Sequence, residues 1–219
     1  MNRRNFFANL AATAAVPAAA IAVSKGASGG TTFGGLVRAA GEGRKNIPNV
    51  AVTSQEGRTY HFYHDLVKGK TVLINFFYAE CDGICPRMTG NLARIQKALG
   101  DQVGRDTFIY SISLKPEQDT PKKLNAYAKM HGIHPGSGWL LLQARRPDME
   151  LLRERLGFKD SDPGLDADIN QHTGILRFGN DVYDKWSGYP VLGNVDLIAE
   201  MVRQLDPMAP RRPLLPYKY

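Results

Sequence analysis

Lys70-Thr71-Val72-Leu73-Ile74-Asn75-Phe76-Phe77-Tyr78 is close to an unbroken run of apolar and β-branched residues. A half-exposed strand would alternate apolar with polar, so a run of this kind reads as a strand covered on both faces. It is followed by Ala79-Glu80-Cys81-Asp82-Gly83-Ile84-Cys85-Pro86, and then by Met88, Leu92, Ile95 and Leu99 at helical spacing up to Gly100. Buried strand, cysteine-bearing loop, amphipathic helix is the order, and it is the opening of an α/β crossover.

Outward from this unit the pattern repeats in kind. Pro48 to Thr53 and Arg58 to Phe62 read as short strands joined at Glu56-Gly57. Thr107 to Ser113 is a second buried strand, and Asp119-Thr120-Pro121 caps a helix running through Leu124, Tyr127 and Met130. Trp139 to Leu142 is a third strand, and Asp148 to Leu156 is helical. His172 to Phe178 and Val182 to Trp186 alternate like a hairpin turning at Gly179-Asn180-Asp181. Asn194 or Asp196 starts a last helix through Ile198, Met201 and Leu205. Alternating β and α units with an N-terminal hairpin and a late one predict an α/β fold, a mixed central sheet flanked by helices.

The 219 residues are long enough for one good core, and the composition, 43% hydrophobic and 22% charged, excludes wholesale disorder and multi-span membrane classes. A net charge of +7 is scattered with no long basic run between aromatics, which argues against nucleic acid as a partner. Residues 1–24 read as an export signal. Arg3-Arg4 with Phe6-Phe7 resembles the twin-arginine type, and the Ala-rich segment to Ser24 carries no charge. The expected location is periplasmic, with an uncleaved leader as a possible tether to the inner membrane. Residues 25–47 are a Gly/Ser-rich flexible tether, 48–206 the folded domain, and 207–219 an extended tail with Pro207, Pro210, Pro213 and Pro216.

Cys81 and Cys85 are the only cysteines, so a disulfide framework is excluded and a local redox or metal pair stands. Cys85 falls at the expected helix start, where exposed backbone N–H groups and the helix dipole favour thiolate. A purely stabilising disulfide would better close a wider loop, since so short a one contributes only about 2 kcal/mol. A closed zinc site would want a second ligand pair. Two thiolates suit Cu(I), and one added imidazole suits copper in either oxidation state. Five histidines could supply it. His61, His64, His131 and His134 sit at surface-like turns or a helix end, and His172 opens a late strand after the Asp/Gly-rich Lys159–Asp168 loop. Spacing does not choose among them. Met88 reads as a continuation of the apolar stripe, Asp82 as a solvated loop acid, and Tyr78 as a wall of the site.

Phe76-Phe77-Tyr78 leading to Cys81-x-x-x-Cys85-Pro86, the Ser111-to-Pro121 segment and the His172-Thr173 pair together resemble the Sco/SenC family of copper proteins, over about Pro48 to Leu205. The resemblance implies a thioredoxin-like fold, copper held by Cys81, Cys85 and His172, and a chaperone role in assembling the copper centre of cytochrome c oxidase. The implied partner is an oxidase subunit or another copper-site client. Two departures stand out: Lys115 where relatives commonly carry Asp, and Gln171 where an acid usually precedes the family histidine. The competing class is a thiol-disulfide oxidoreductase acting on client cysteines through Cys81 and Cys85 as a redox-active, disulfide-forming pair. A thiol peroxidase would want a lone reactive cysteine.

Overall fold

A computed structural model describes residues 47–167 and 174–208. The leader, all of the tether but Ile47, the tail beyond Met208, and both His172 and Gln171 lie outside the described residues.

Seven strands form one sheet: β1 (Ala51–Ser54), β2 (Thr59–His61), β3 (Thr71–Phe77), β4 (Thr107–Ser113), β5 (Trp139–Ala144), β6 (Ile175–Asn180) and β7 (Lys185–Pro190), in the order β2-β1-β5-β4-β3-β6-β7. The inner strands β5, β4 and β3 are parallel. An antiparallel pair extends the sheet on each side, β1–β2 beyond β5 and β6–β7 beyond β3. The sheet is mixed, as the alternation of elements predicts, and both hairpins lie at its margins.

Helices α1 (Ile84–Leu99) and α2 (Pro121–Met130) connect β3 to β4 and β4 to β5. The two crossovers step the same way across the sheet, so their common right-handedness puts both helices on one face. The side-chain alternation of the strands agrees. Leu73 and Phe77 of β3, Ile109 of β4 and Leu141 of β5 pack with Met88, Leu92, Ile95, Leu124 and Tyr127, together with Ile198 and Val202 of α5 (Val195–Arg203). The intervening Val72, Ile74, Phe76, Tyr110 and Ile112 point the other way. They meet a π-helical turn at Phe62–Val67 and α3 (Arg146–Arg155), through Leu66, Met149 and Leu152. Full burial of each such Leu or Met is worth roughly 1.5–3 kcal/mol. The polar residues inside the parallel strands are matched. Ser111 Oγ donates to Asn75 Oδ1 at 2.6 Å, and Trp139 Nε1 donates to Ser111 Oγ at 3.0 Å.

Several local expectations need correction. Of the two caps the sequence offers, Asp119 and Thr120, it is Thr120 that caps α2, its side chain accepting from Lys123 N. Met130 ends the helix 71% exposed, outside the stripe made by Leu124 and Tyr127. The late hairpin turns at 181–184, after the expected site, with Asn180 paired to Lys185 and Asp184 at φ 50°. Its first strand begins at Ile175, not at His172. The turn forms there because Asn180 Oδ1 accepts from Val182 N at 3.0 Å and Asp181 Oδ2 accepts from Gly69 N at 2.8 Å, which gives Asn180 and Asp181 turn-closing roles. The Asp-rich loop also holds a short helix, α4 (Pro163–Ala167), pinned where Arg153 Nη2 meets Asp166 Oδ1 at 2.9 Å.

Candidate metal centre

Phe77 pairs with Ser113 at the carboxyl ends of β3 and β4, so the loops that leave these strands run side by side. Open α/β sheets bind ligands at this edge, because the loops there are free of the crossover packing. One loop carries Tyr78 to Gly83 and the other Leu114 to Thr120. Their link is Asp119, a carboxylate only 1% exposed. It accepts from Ala79 N at 3.1 Å and from Ser113 Oγ at 2.5 Å, while Lys115 N donates to the same Ser113 Oγ at 3.0 Å. Lys123 Nζ adds an outer clasp to Glu80 at 2.6 Å. The acid that the sequence offered as one of two helix caps thus holds the cysteine loop in place. Two possible caps in succession, Asp119 and Thr120, were the signal that one of them was spare.

Cys81 and Cys85 are both buried free thiols. Their environments differ in the opposite sense to the sequence expectation. Cys85 is the second residue of α1, fully buried against the sheet, and burial together with its donation to the Cys81 sulfur pushes its pKa up to about 12. Cys81 precedes the helix. Burial pulls its pKa up, but hydrogen bonds from the Cys85 thiol and backbone N–H, the Tyr78 hydroxyl and the Gly83 backbone outweigh burial, and the net shift is below the ordinary thiol value. An N–H group at a helix start points backward, so it serves a side chain lying ahead of the helix and not one inside it. The thiolate-favouring position is therefore Cys81. Tyr78 is raised to about 12, first by its hydrogen bond to Cys81 and next by burial.

The coupled pair should lose its first proton below the ordinary thiol pKa and its second only toward 12. Iodoacetamide treatment of the reduced protein, followed by peptide mass mapping, should find Cys81 labelled before Cys85, with the first rate levelling off below pH 9, the ordinary thiol value. Earlier labelling of Cys85 would reverse the assignment.

Around the thiols, Met88 is fully buried in the same apolar cluster, so it is core as expected. Tyr78 walls the site as expected, and its hydroxyl is an additional participant. The Lys115 departure has a structural use: Nζ sits 3.9 Å from the centroid of the Tyr78 ring, a cation–π contact that an Asp could not make. On the helix side, Thr89 Oγ1 donates to Cys85 O at 3.0 Å and lies 2.8 Å from Tyr127 OH.

The other histidines are engaged elsewhere or exposed. His61 faces Asp65 at 3.5 Å, His64 meets Asn49 at 3.2 Å, and His131 rests on Tyr127 with ring centroids 4.3 Å apart, while His134 is exposed. Among the described residues no three His, Cys, Asp or Glu side chains converge to hold a metal, so the structure brings Cys81 and Cys85 together and does not describe His172. Two adjacent sulfurs, one favouring its ionised form, fit a soft metal ion.

Residues 47–135 match the SCO1/SenC family. A SCO1 protein homolog of Bacillus subtilis (strain 168) is 32% identical over 111 residues, which is 48% of this chain and 56% of that protein. The chain thus aligns with little more than half the length of that curated relative. BsSco, a member of the Sco family of cytochrome c oxidase assembly proteins in which a disulfide switch was identified, superposes with a TM-score of 0.57 at 24% identity, covering 75% of this chain and 96% of BsSco. Bradyrhizobium japonicum ScoI, solved with copper bound, gives a TM-score of 0.55 at 19% identity over 73% of this chain and 99% of ScoI. The thioredoxin-like architecture of these proteins is the one described above. Both thiols and the Asp119 clasp lie inside the segment, residues 47–135, that is similar to the SCO1/SenC family.

Proposed function

We propose that this protein is a periplasmic copper chaperone that holds copper through Cys81, Cys85 and His172 and hands it to the copper centre of cytochrome c oxidase. The observation that carries the reading is the pairing of two buried sulfurs at the sheet's carboxyl edge, one of them ionised more readily than a free thiol. Soft thiolates favour Cu(I), and one imidazole completes a three-coordinate site open to ligand exchange with a client. The copper seen in ScoI supports the reading, as does the role of BsSco's family in oxidase assembly. The further organisation follows the sequence: a twin-arginine-like leader at 1–24, a tether at 25–47, the domain at 48–206 and an extended tail at 207–219, with retention of the leader giving a membrane tether. No helix of the described residues is long and apolar enough to cross a membrane.

A second reading, thiol-disulfide exchange with a client, is favoured by the Cys81 environment. Cys81 thiolate would attack a client disulfide, and Cys85 would then resolve the mixed disulfide. The raised pKa of Cys85 makes that resolving step the slow one.

His172 separates the two. His172→Ala should abolish retention of copper through dialysis of the reduced protein, with reduction of a client disulfide unchanged. Undiminished copper in this variant, measured by metal analysis, removes His172 from the ligand set. Under the exchange reading the same variant should still reduce a client disulfide at a near-normal rate.

A further inference from the structure

The charged side chains of α1 and α2 all have one sign. Arg87, Arg94 and Lys97 stand on α1, Lys122, Lys123 and Lys129 on α2, and neither helix contains Asp or Glu. Surface helices ordinarily intersperse the two signs, since opposite charges three or four residues apart stabilise a helix and like charges destabilise it. Among the described residues, Lys123 is the one member of this set held in an ion pair, through Glu80. The other five are exposed, with no hydrogen-bond or ion-pair partner. Lys97 and Lys129 stand in the last turns of their helices, where the dipole favours a cation, but Arg87, Arg94 and Lys122 have no such structural return.

Its placement is not random. Arg87, Arg94 and Lys97 are spaced by seven and three, hence on one helical face about 15 Å long. α1 and α2 lie on the same face of the sheet, linked by the buried Thr89–Tyr127 hydrogen bond at 2.8 Å, and both sets of cations stand on the solvent side of that helical layer. That surface begins two residues beyond Cys85 and reaches the Glu80–Lys123 clasp on the cysteine loop. Nearby acids do little to offset it. Asp119 is buried, Glu80 is engaged and Glu200 of α5, the helix packed on α1, is paired with Arg203, leaving Asp82 on the cysteine loop, Asp101 beyond the end of α1 and exposed Asp196 in the first turn of α5.

We infer that the α1–α2 face is a docking surface for a protein partner bearing an acidic patch, which it steers and orients over the cysteine loop. Charge complementarity selects that occupant. Neither helix exposes an aromatic ring on which bases could stack, which disfavours single-stranded nucleic acid. Met130 is the one large apolar side chain these helices expose, too little for membrane insertion but a suitable adaptable contact within a protein interface. The docking surface stands on charge and placement alone. That the docked protein is the copper-receiving client rests on the function proposed above.

The test uses the reduced full chain and two fluorescent peptides of equal length, one alternating Glu with Ala and the other Gln with Ala. Replacing Arg87, Arg94 and Lys97 together by Gln should weaken binding of the Glu peptide by about tenfold, and added salt should weaken the wild type likewise. Replacing exposed Arg58, Lys68 and Arg155 by Gln removes the same charge elsewhere and should change binding less than about twofold. Circular dichroism and copper content, both unchanged in the first variant, separate lost docking from lost folding or lost metal. Equal weakening by the two variants, or equal wild-type affinity for both peptides, overturns the proposal. So does loss of binding to phosphatidylglycerol vesicles in the first variant with peptide binding kept, which would make this a membrane surface. A wild-type protein that binds the Glu peptide but no copper leaves the docking face standing and removes the copper function.

Discussion

Replacement of Cys85 or of Cys81 by alanine should each reduce copper affinity by more than the roughly 10–100-fold that loss of a mere supporting hydrogen bond costs at a metal site. The residual thiols of the two variants should nevertheless behave differently. In Cys85→Ala the remaining Cys81 loses the Cys85 thiol but keeps the Tyr78 hydroxyl and the backbone N–H groups of Gly83 and residue 85, so it should alkylate more slowly than in the wild type yet faster than the lone thiol of the other variant. In Cys81→Ala the remaining Cys85 is fully buried inside α1, where burial is the largest cause of its raised pKa, and it should alkylate slowly. Metal analysis after dialysis, beside an alkylation time course on the same samples, reads both effects. Copper retained at wild-type stoichiometry by either variant would end the two-thiolate assignment. An equal alkylation rate in the two would show that the helix start does not distinguish the sulfurs.

Gly138→Ala should be the most damaging single methyl added to this fold. Gly138 precedes β5 with φ +78°, and a Cβ there would lie 2.3 Å from Gly104 N and 2.5 Å from Gly104 Cα. Both obstacles are backbone, so no side-chain rotation relieves them. Gly138 O also accepts from Ile109 N at 2.8 Å, which ties the residue to β4 and prevents it from backing away. A left-handed alanine costs about 1–2 kcal/mol and a forced backbone shift about 1–3 kcal/mol more, so a loss of about 3–4 kcal/mol is expected in urea unfolding. Gly90→Ala is the matched control. A Cβ at Gly90, within α1, has nothing within 4 Å, and the change should stabilise by about 0.5–1 kcal/mol through helix propensity. Similar stabilities for the two variants would mean that the Gly104–Gly138 approach is not as close as described.

The copper and labelling predictions meet at Cys81, and they mark where one-dimensional reading was sound and where it failed. The 71–77 strand, the 107–113 strand and the α1 stripe of Met88, Leu92, Ile95 and Leu99 were legible because each is a periodic or continuous apolar pattern, and burial obeys such patterns almost independently of neighbours. The cysteine loop at the end of β3 was legible for the same reason. The late hairpin was placed too early because its turn is closed by Asn180 and Asp181 side chains reaching Val182 and Gly69, and the latter contact spans 112 positions. Asp119 was read as one of two candidate caps, with Thr120, and its actual role was hidden because its partners, Ala79 and Ser113, come from another loop and another strand. The cysteine chemistry was inverted because proximity in sequence to a helix start is not the same as lying on its axis.

Sequence by itself determined the strand and helix segments, the solitary cysteine pair and the all-cationic content of α1 and α2, since these are properties of composition and spacing along one chain. The tertiary structure decided which sulfur faces the helix N–H groups, what the Asp119 carboxylate grips, how Lys115 comes to rest on Tyr78, and that two cationic helices share one face beside the thiols. Those outcomes depend on directions in space and on right-handed crossovers that join distant segments, and a linear order of residues carries no direction until the chain is folded.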